Sequence, residues 1–362
     1  MENSLHAQSV IARQYTIDEK NGVLAQVIKT EEEEDTHRCN ASKMRVLSKQ
    51  HGPALKKFKN PTCCHPIMAQ PAFSVITTAR NEKNEELLEE TFQNWETVKH
   101  LFEKKTGKKI EFVIVDAGGN ADFPKLSDSN LIACEAYQKY RLGLYKSGKI
   151  KYKSWDSPTI GRNLGFSYAR GSIVVFQDID TQFSSGTELD LKYVTSKLDK
   201  YENYFEVMYK AFKSKNIAGA APSARASDTR KVGRRFGMMG ENYTVWFSTK
   251  IPTIRMWGTP ISGPSVPGFS IAVLREVALR ICADEGYLYD PELAVAEDHK
   301  FSRILGEYGR VSYEKRAGVF TRTINRVSPG FDLLKSFLYA FMWIIPYSFP
   351  DAWKYRRHTF SI

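Results

Sequence analysis

Asp178 and Asp180 flank Ile179 directly after the apolar run Ile173–Phe176. Alternate side chains of an extended backbone share a face, so the two carboxylates point the same way while Ile179 points into the core. Hard oxygen ligands at the mouth of a cleft suit Mg²⁺ or Mn²⁺, and such an ion can bridge the phosphates of a nucleoside diphosphate. An Asp-x-Asp tripeptide alone is a weak signal; its place at the end of a buried-type strand strengthens it. A second acidic pair, Glu297-Asp298, opens a run in which Phe301, Ile304, Leu305 and Tyr308 recur at helical spacing. Acids there would offset the helix dipole. A third site, Asp116, ends the apolar run Ile110–Val115 and leads into Ala117-Gly118-Gly119, where a carboxylate can cap the glycine turn.

The elements that must position these acids are legible as alternating strands and helices. Phe73–Thr78 is β-branched and apolar, a polar turn covers Ala79–Lys83, and Leu87, Leu88, Thr91, Phe92, Trp95, Val98, Leu101 and Phe102 follow at three- and four-residue steps. With the strand Ile110–Val115 this makes a β-α-β unit, the mark of an α/β fold with a mixed, mainly parallel sheet and helices on both faces. The pattern continues with a helix around Leu131–Leu144, a strand at Ile150–Trp155 and a helix opened by Ser157-Pro158, which Gly171 closes by a left-handed turn. The strand Ile173–Phe176 comes next. Farther on, Leu189–Phe212 reads as helical, Ile217–Ala221 as a strand and Ser223–Arg235 as a basic loop. Ligands of such sheets bind beyond the carboxyl ends of the strands, where Asp116, Asp178 and Asp180 fall.

The chain has 362 residues, 42% hydrophobic and 26% charged, with a formal net charge of +11 that draws anions in general. Its five cysteines are scattered and suit a reduced, cytoplasmic chain without a secretory signal. On that reading the acceptor patterns at Asn40 and Asn242 stay unmodified. Residues 1–71 carry the acidic block Glu31–Asp35 and a basic run, and read as a partly disordered appendage. Residues 328–362 are aromatic and basic. Their uninterrupted apolar core of about ten residues is shorter than the ~20 a span needs, which leaves an interfacial amphipathic helix or one packed on protein. No helix-turn-helix, zinc-finger or aromatic-strand signature appears, so nucleic acid is not an expected partner.

Taken in order, these motifs resemble family 2 glycosyltransferases of the GT-A class. The residues that carry the resemblance are Thr77-Thr78-Ala79-Arg80-Asn81-Glu82, Val115-Asp116-Ala117-Gly118-Gly119, Gly161-Arg162-Asn163-Leu164-Gly165 with Ala169-Arg170-Gly171, Asp178-Ile179-Asp180, Pro267-Gly268-Phe269-Ser270-Ile271 and Ala296-Glu297-Asp298. The resemblance implies a domain over 72–327 that moves a sugar, with inversion, from a UDP- or GDP-sugar to an acceptor hydroxyl, and the aromatic, basic segment after it suggests a glycan or lipid-linked acceptor at a peripheral membrane contact. It implies nucleotide contacts from Thr78, Arg80, Glu82, Asp116, Arg162 and Asp178, and a Mn²⁺ or Mg²⁺ held by Asp180. Asp298 would be the base that takes the acceptor proton. Gly268, Glu297, His299, Arg322 and Arg326 would contact diphosphate or acceptor, with Arg316 a further candidate clamp.

Two departures stand out. Asp116-Ala117-Gly118 replaces the family's consecutive acids, and no glutamine-rich motif ending in arginine and tryptophan follows the acidic pair, so addition of one or a few sugars is expected. Competing classes are a non-catalytic scaffold of the same fold and a nucleic-acid-binding protein. Metal-dependent binding of a nucleoside diphosphate separates them.

Overall fold

The computed structural model describes residues 15–17, 24–26, 70–80, 85–119, 123, 126–154, 156–186, 201–214, 216–226, 242–256, 259–260, 262–266, 268–293 and 297–321. Two short strands, β1 (Tyr15–Ile17) and β2 (Leu24–Gln26), pair with each other antiparallel. The core is an eight-stranded sheet. Its strands are β3 (Phe73–Ala79), β4 (Ile110–Asp116), β5 (Ser129–Ile132), β6 (Ile173–Gln177), β7 (Thr181–Phe183), β8 (Ile217–Ala226), β11 (Ser270–Leu274) and β12 (Arg310–Thr321), in the order β5-β4-β3-β6-β11-β8-β12-β7. The two-residue strands β9 (Arg255–Met256) and β10 (Thr259–Pro260) pair apart from it. β5, β4, β3 and β6 run parallel, β11 runs against both neighbours, and β12 is parallel to β8.

The period of two along the central strands divides the core into two layers. Phe73 and Val75 of β3, Phe112 and Ile114 of β4 and Val175 of β6 face one way, onto α1 (Glu85–Thr106) and α4 (Tyr204–Ala211). Ile76, Val113, Val115, Val174 and Phe176 face the other. That second face meets α2 (Cys134–Lys146), α3 (Pro158–Tyr168), α6 (Arg275–Glu285) and α7 (Glu297–Tyr308), while a helix over residues 242–248 (α5) adds Val245. On α1 the buried residues include Leu88, Thr91, Phe92, Trp95, Val98 and Phe102 at three- and four-residue steps, with Asn94 and Lys99 buried beside them. Trp95 stacks on Phe112 at 5.6 Å and donates its indole N–H to the carbonyl of Thr181 at 2.8 Å, so its polar tip is satisfied inside the core.

Four expectations are corrected. The stretch around Leu131 is not helical: Ser129–Ile132 forms β5, parallel to β4, and the helix begins only at Cys134. Leu131 sits half exposed on this edge strand, so its apolar character marked no buried helix face. Residues 150–154 form no strand; the amides of Lys149 and Ile150 fold back onto the carbonyl of Leu144 at the end of α2. Ser223–Ala226 continue β8 and are not loop. Gly171 does not adopt a left-handed turn; α3 ends at Ala169 in an extended conformation. Glycine is needed at 171 for another reason, since a Cβ there would lie 2.4 Å from the amide nitrogen of Ser74.

α3 lies against the end of β3 because two of its positions lack side chains. A Cβ at Gly161 would stand 2.3 Å from Oγ1 of Thr78, and one at Gly165 2.4 Å from Cγ2 of Ile76. Ser157 starts the helix by accepting from the amide of Thr159, and its hydroxyl donates to the carbonyl of Leu293 at 2.9 Å. This close seat carries Arg162 to the carboxyl edge of the sheet.

Candidate active site

Asp116 ends β4 opposite Ala79 of β3, and Asp178 follows β6, which pairs with β3 through Phe176 opposite Ile76. Both acids therefore leave the same edge of a parallel sheet. The Asp178 amide donates to the carbonyl of Phe269 at 3.2 Å and its carbonyl accepts from Thr181 at 3.1 Å, which fixes the turn carrying Asp178 and Asp180 into β7. Asp180 accepts from the hydroxyl of Thr181 at 3.4 Å.

Arg162 draws the separate motifs together. Its Nη2 donates to Oδ1 of Asp178 at 2.9 Å and to the carbonyl of Gly268 at 3.0 Å, and its Nη1 lies 3.6 Å from Oε1 of Glu297. The guanidinium carbon stands 5.1 Å from the centre of the Tyr289 ring. The side chain is 6% exposed, whereas that of Asp178 is 45% exposed. Burial opposes the charge of Arg162, but Tyr289, Asp178, Glu297 and Asp298 around it hold its pKa above the ordinary arginine value.

Asp298 is the second residue of α7, and its Oδ1 accepts from the amide of His299 at 2.8 Å. Gly268 faces it: a Cβ there would meet Arg162 Nη2 at 3.0 Å and Asp298 Oδ2 at 3.1 Å. Nδ1 of His299 lies 2.5 Å from the hydroxyl of Ser265, and burial pushes the imidazole pKa down. Arg162, Asp178, Gly268, Glu297, Asp298 and His299 thus form one group.

A second group lies at the ends of β3 and β4. Oδ1 of Asp116 accepts from the amides of Gly118 and Gly119 at 3.0 and 2.8 Å, so the carboxylate caps its own turn. Arg80 pairs with Asp156 at 2.5 Å, and the same carboxylate accepts from the hydroxyl of Tyr137. Thr78 places its hydroxyl under α3, where Gly161 leaves room for it. Glu82, Arg322 and Arg326 lie outside the described residues. Arg316 pairs with Glu202, and its backbone carbonyl accepts from the Glu202 amide, so it belongs to the link between β12 and α4.

Sequence reasoning passed over two residues of this region. Asn163 donates to the carbonyl of Tyr289 at 2.7 Å and accepts from the amides of Leu288 and Tyr289, locking the loop that covers Arg162. Its place beside Arg162 in the Gly-Arg-Asn-Leu-Gly run was the available signal. Asp156, the partner of Arg80, had none beyond its position before the helix cap.

Among the described residues no group of three His, Cys, Asp or Glu side chains could enclose a metal ion. Mg²⁺-type sites commonly use one or two carboxylates and take their remaining ligands from water and substrate phosphate, and Asp178 and Asp180 at the sheet edge fit that donor set.

The family model described as "Glycosyl transferase family 2" matches residues 74–191, which run from β3 past β7 and include Asp116, Arg162, Asp178 and Asp180. No curated protein matches the sequence. Among solved structures, the chain is similar to S. aureus TarS 1-349 (15% identity, 78% of this chain and 68% of that chain, TM-score 0.40). It is also similar to S. aureus TarS in a longer form (16%, TM-score 0.39), of which it spans 41%. A third is glucosyl-3-phosphoglycerate synthase from Mycobacterium tuberculosis (13% identity, 76% and 79% covered, TM-score 0.38). The match covers residues 74–191 of the 362, the segment whose strand ends carry Asp116, Asp178 and Asp180, and it makes that segment similar to family 2 glycosyltransferases.

Proposed function

We propose that the chain transfers a sugar, with inversion, from a nucleoside-diphosphate sugar to an acceptor hydroxyl. The observation that carries this reading is the convergence of Asp178, from the end of β6, and Glu297-Asp298, from the start of α7, on one buried guanidinium. A scaffold protein has no need to bring an acid from a strand end and an acid from a helix start into one place.

Asp298 takes the proton from the acceptor hydroxyl as that oxygen bonds to the anomeric carbon, and the bond from that carbon to the nucleoside diphosphate breaks on the opposite side. The carboxylate is the second residue of α7, with the Arg162 guanidinium on the other side of Gly268. Asp180, with Asp178 beside it, would hold Mn²⁺ or Mg²⁺. When bound, the ion would neutralise charge on the departing diphosphate. At the other end of the edge, Asp116 would accept the imide N–H of uracil or guanine, with Arg80, held by Asp156, and Thr78 beside it. The one-turn glycine cap leaves Asp116 in a fixed orientation for that contact.

A glycan or lipid-linked acceptor at a peripheral membrane contact suits the net charge of +11 and the aromatic, basic composition of residues 328–362, which lie outside the described residues. Among the described residues no helix is long and apolar enough to cross a membrane. Co-sedimentation of the full chain with anionic, but not neutral, vesicles tests that part. The enzymatic reading is tested by screening UDP- and GDP-sugars for Mn²⁺-dependent transfer or hydrolysis. Absence of any response from folded protein would favour a non-catalytic scaffold.

A further inference from the structure

We propose that Arg162 is a positioning residue, a buried cationic strut that fixes Asp178 and the Glu297-Asp298 pair relative to each other, and not a ligand of the donor phosphates. The proposal rests on the glycosyltransferase reading for what those acids do, but the strut itself is a matter of packing and charge.

Both ends of the strut are held. At its base, α3 is pinned to β3 by the close approaches at Gly161 and Gly165, and to the loop before α7 by Ser157 on Leu293 and by Asn163 on Leu288 and Tyr289. At its head, Nη2 donates to Asp178 after β6 and to the carbonyl of Gly268 before β11, while the buried Nη1 makes no hydrogen bond and stands 3.6 Å from Glu297 on α7 as an ion-pair neighbour. The Tyr289 ring flanks the guanidinium. Gly268 completes the fit, because any side chain there would press on both Arg162 and Asp298.

The charges require such a part. Asp178, Glu297 and Asp298 surround one cation that is itself almost fully buried. Without it, Asp178 would repel the adjacent pair Glu297-Asp298 across the gap between β6 and α7. A phosphate ligand would be expected to offer its nitrogens to solvent, whereas Nη2 is already directed at two protein oxygens. Lysine cannot replace this arrangement, since an ammonium group on a flexible stem lacks the planar fork that donates to Asp178 and Gly268 while lying beside Glu297.

The test uses the full-length chain and three variants, Arg162→Lys, Arg162→Ala and Arg162→Met. Calorimetry with UDP and GDP in the presence of Mn²⁺ reads nucleotide binding, and steady-state kinetics use whichever sugar donor the wild type turns over. The strut predicts a kcat lower by about 10²-fold in both Arg162→Lys and Arg162→Ala, because misplacement on the scale of 1 Å is enough for that loss, with nucleotide affinity and donor KM changed by less than about tenfold through the displaced Asp178. Added guanidinium ion at sub-denaturing concentration should restore part of the kcat of Arg162→Ala. A donor KM raised more than tenfold with kcat preserved would overturn the proposal in favour of a phosphate contact.

A measurement without turnover keeps the two readings apart. Thermal melting of Arg162→Met, Glu297→Gln and the double variant should be non-additive, with the double variant melting no lower than Arg162→Met alone. If the wild type binds no nucleotide and turns over no donor, the glycosyltransferase reading fails while this cycle still decides the strut. Additive losses in melting temperature would overturn it.

Discussion

Gly268 stands so close to Asp298 that a Cβ on it would lie 3.1 Å from the carboxylate oxygen Oδ2, and 3.0 Å from Nη2 of Arg162 on its other side. Both neighbours are side-chain ends, able to shift by a few tenths of an ångström without disturbing the sheet. Gly268→Ala should therefore keep stability within about 1 kcal/mol of wild type while lowering kcat by roughly tenfold or more. A melting curve paired with steady-state kinetics checks this; unchanged kcat would mean that the approach of Gly268 to Asp298 has no catalytic use.

Gly171 tests the opposite case, in which the neighbour is backbone. A Cβ there would meet the amide nitrogen of Ser74 at 2.4 Å and the carbonyl carbon of Phe73 at 2.5 Å, at the start of the central strand. Gly171→Ala should cost about 3 kcal/mol or more in a urea titration, at the upper end of overpacking effects. A loss below about 1 kcal/mol would show that β3 and the 169–172 turn can separate at little cost.

Much of this was legible in the sequence, for physical reasons that differ between elements. The strands at Phe73, Ile110 and Ile173 are buried on both faces and so read as largely apolar runs, broken by the buried polar residues Ser74, Thr77 and Glu111, and α1 showed its periodicity because one face is covered. Edge strand β5 did not show, since Ser129, Asn130 and Leu131 are exposed and carry no alternation to detect. Gly171 was legible as a glycine position but not in its cause, because a close backbone approach comes from β3, about 100 residues away in sequence. The site followed the same division. Asp178, Asp180, Glu297 and Asp298 were legible as acids at element ends, while the bridge through Arg162, the clamp of Asn163 and the Asp156 partner of Arg80 depend on tertiary contacts that no local pattern encodes.

His299 links stability to pH. Burial lowers its pKa first, Asp298 works against that shift and Arg303 adds to it, with the hydroxyl of Ser265 at Nδ1. A folded-state value below the unfolded one means that the unfolded chain binds the proton more readily. The contribution of His299 to stability is present above the unfolded value near ~6.5 and is lost as pH falls through it toward the folded value. Between about pH 7.5 and 5.5, His299→Gln should lose less of its urea midpoint than the wild type does. Equal losses would show that the imidazole does not titrate differently on unfolding.

Asp116 offers a clean separation of capping from recognition. Asparagine at 116 keeps an oxygen for the amides of Gly118 and Gly119 but gives up the anionic acceptor. Asp116→Asn should preserve the melting temperature and weaken UDP or GDP binding by roughly tenfold, the size of one charge-assisted hydrogen bond. Full nucleotide affinity in the variant would leave Asp116 as a turn cap only.

The most direct test of the account is the division of labour between Asp298 and Asp180, read in two variants by the same pair of assays. Asp298→Asn should bind Mn²⁺ and donor nucleotide about as well as the wild type, with kcat lower by about 10²-fold or more, because the base is gone and its shape remains. Asp180→Asn should weaken metal and donor binding together. Collapse of donor affinity in Asp298→Asn, with metal and donor binding intact in Asp180→Asn, would contradict the assignment of base and metal ligand.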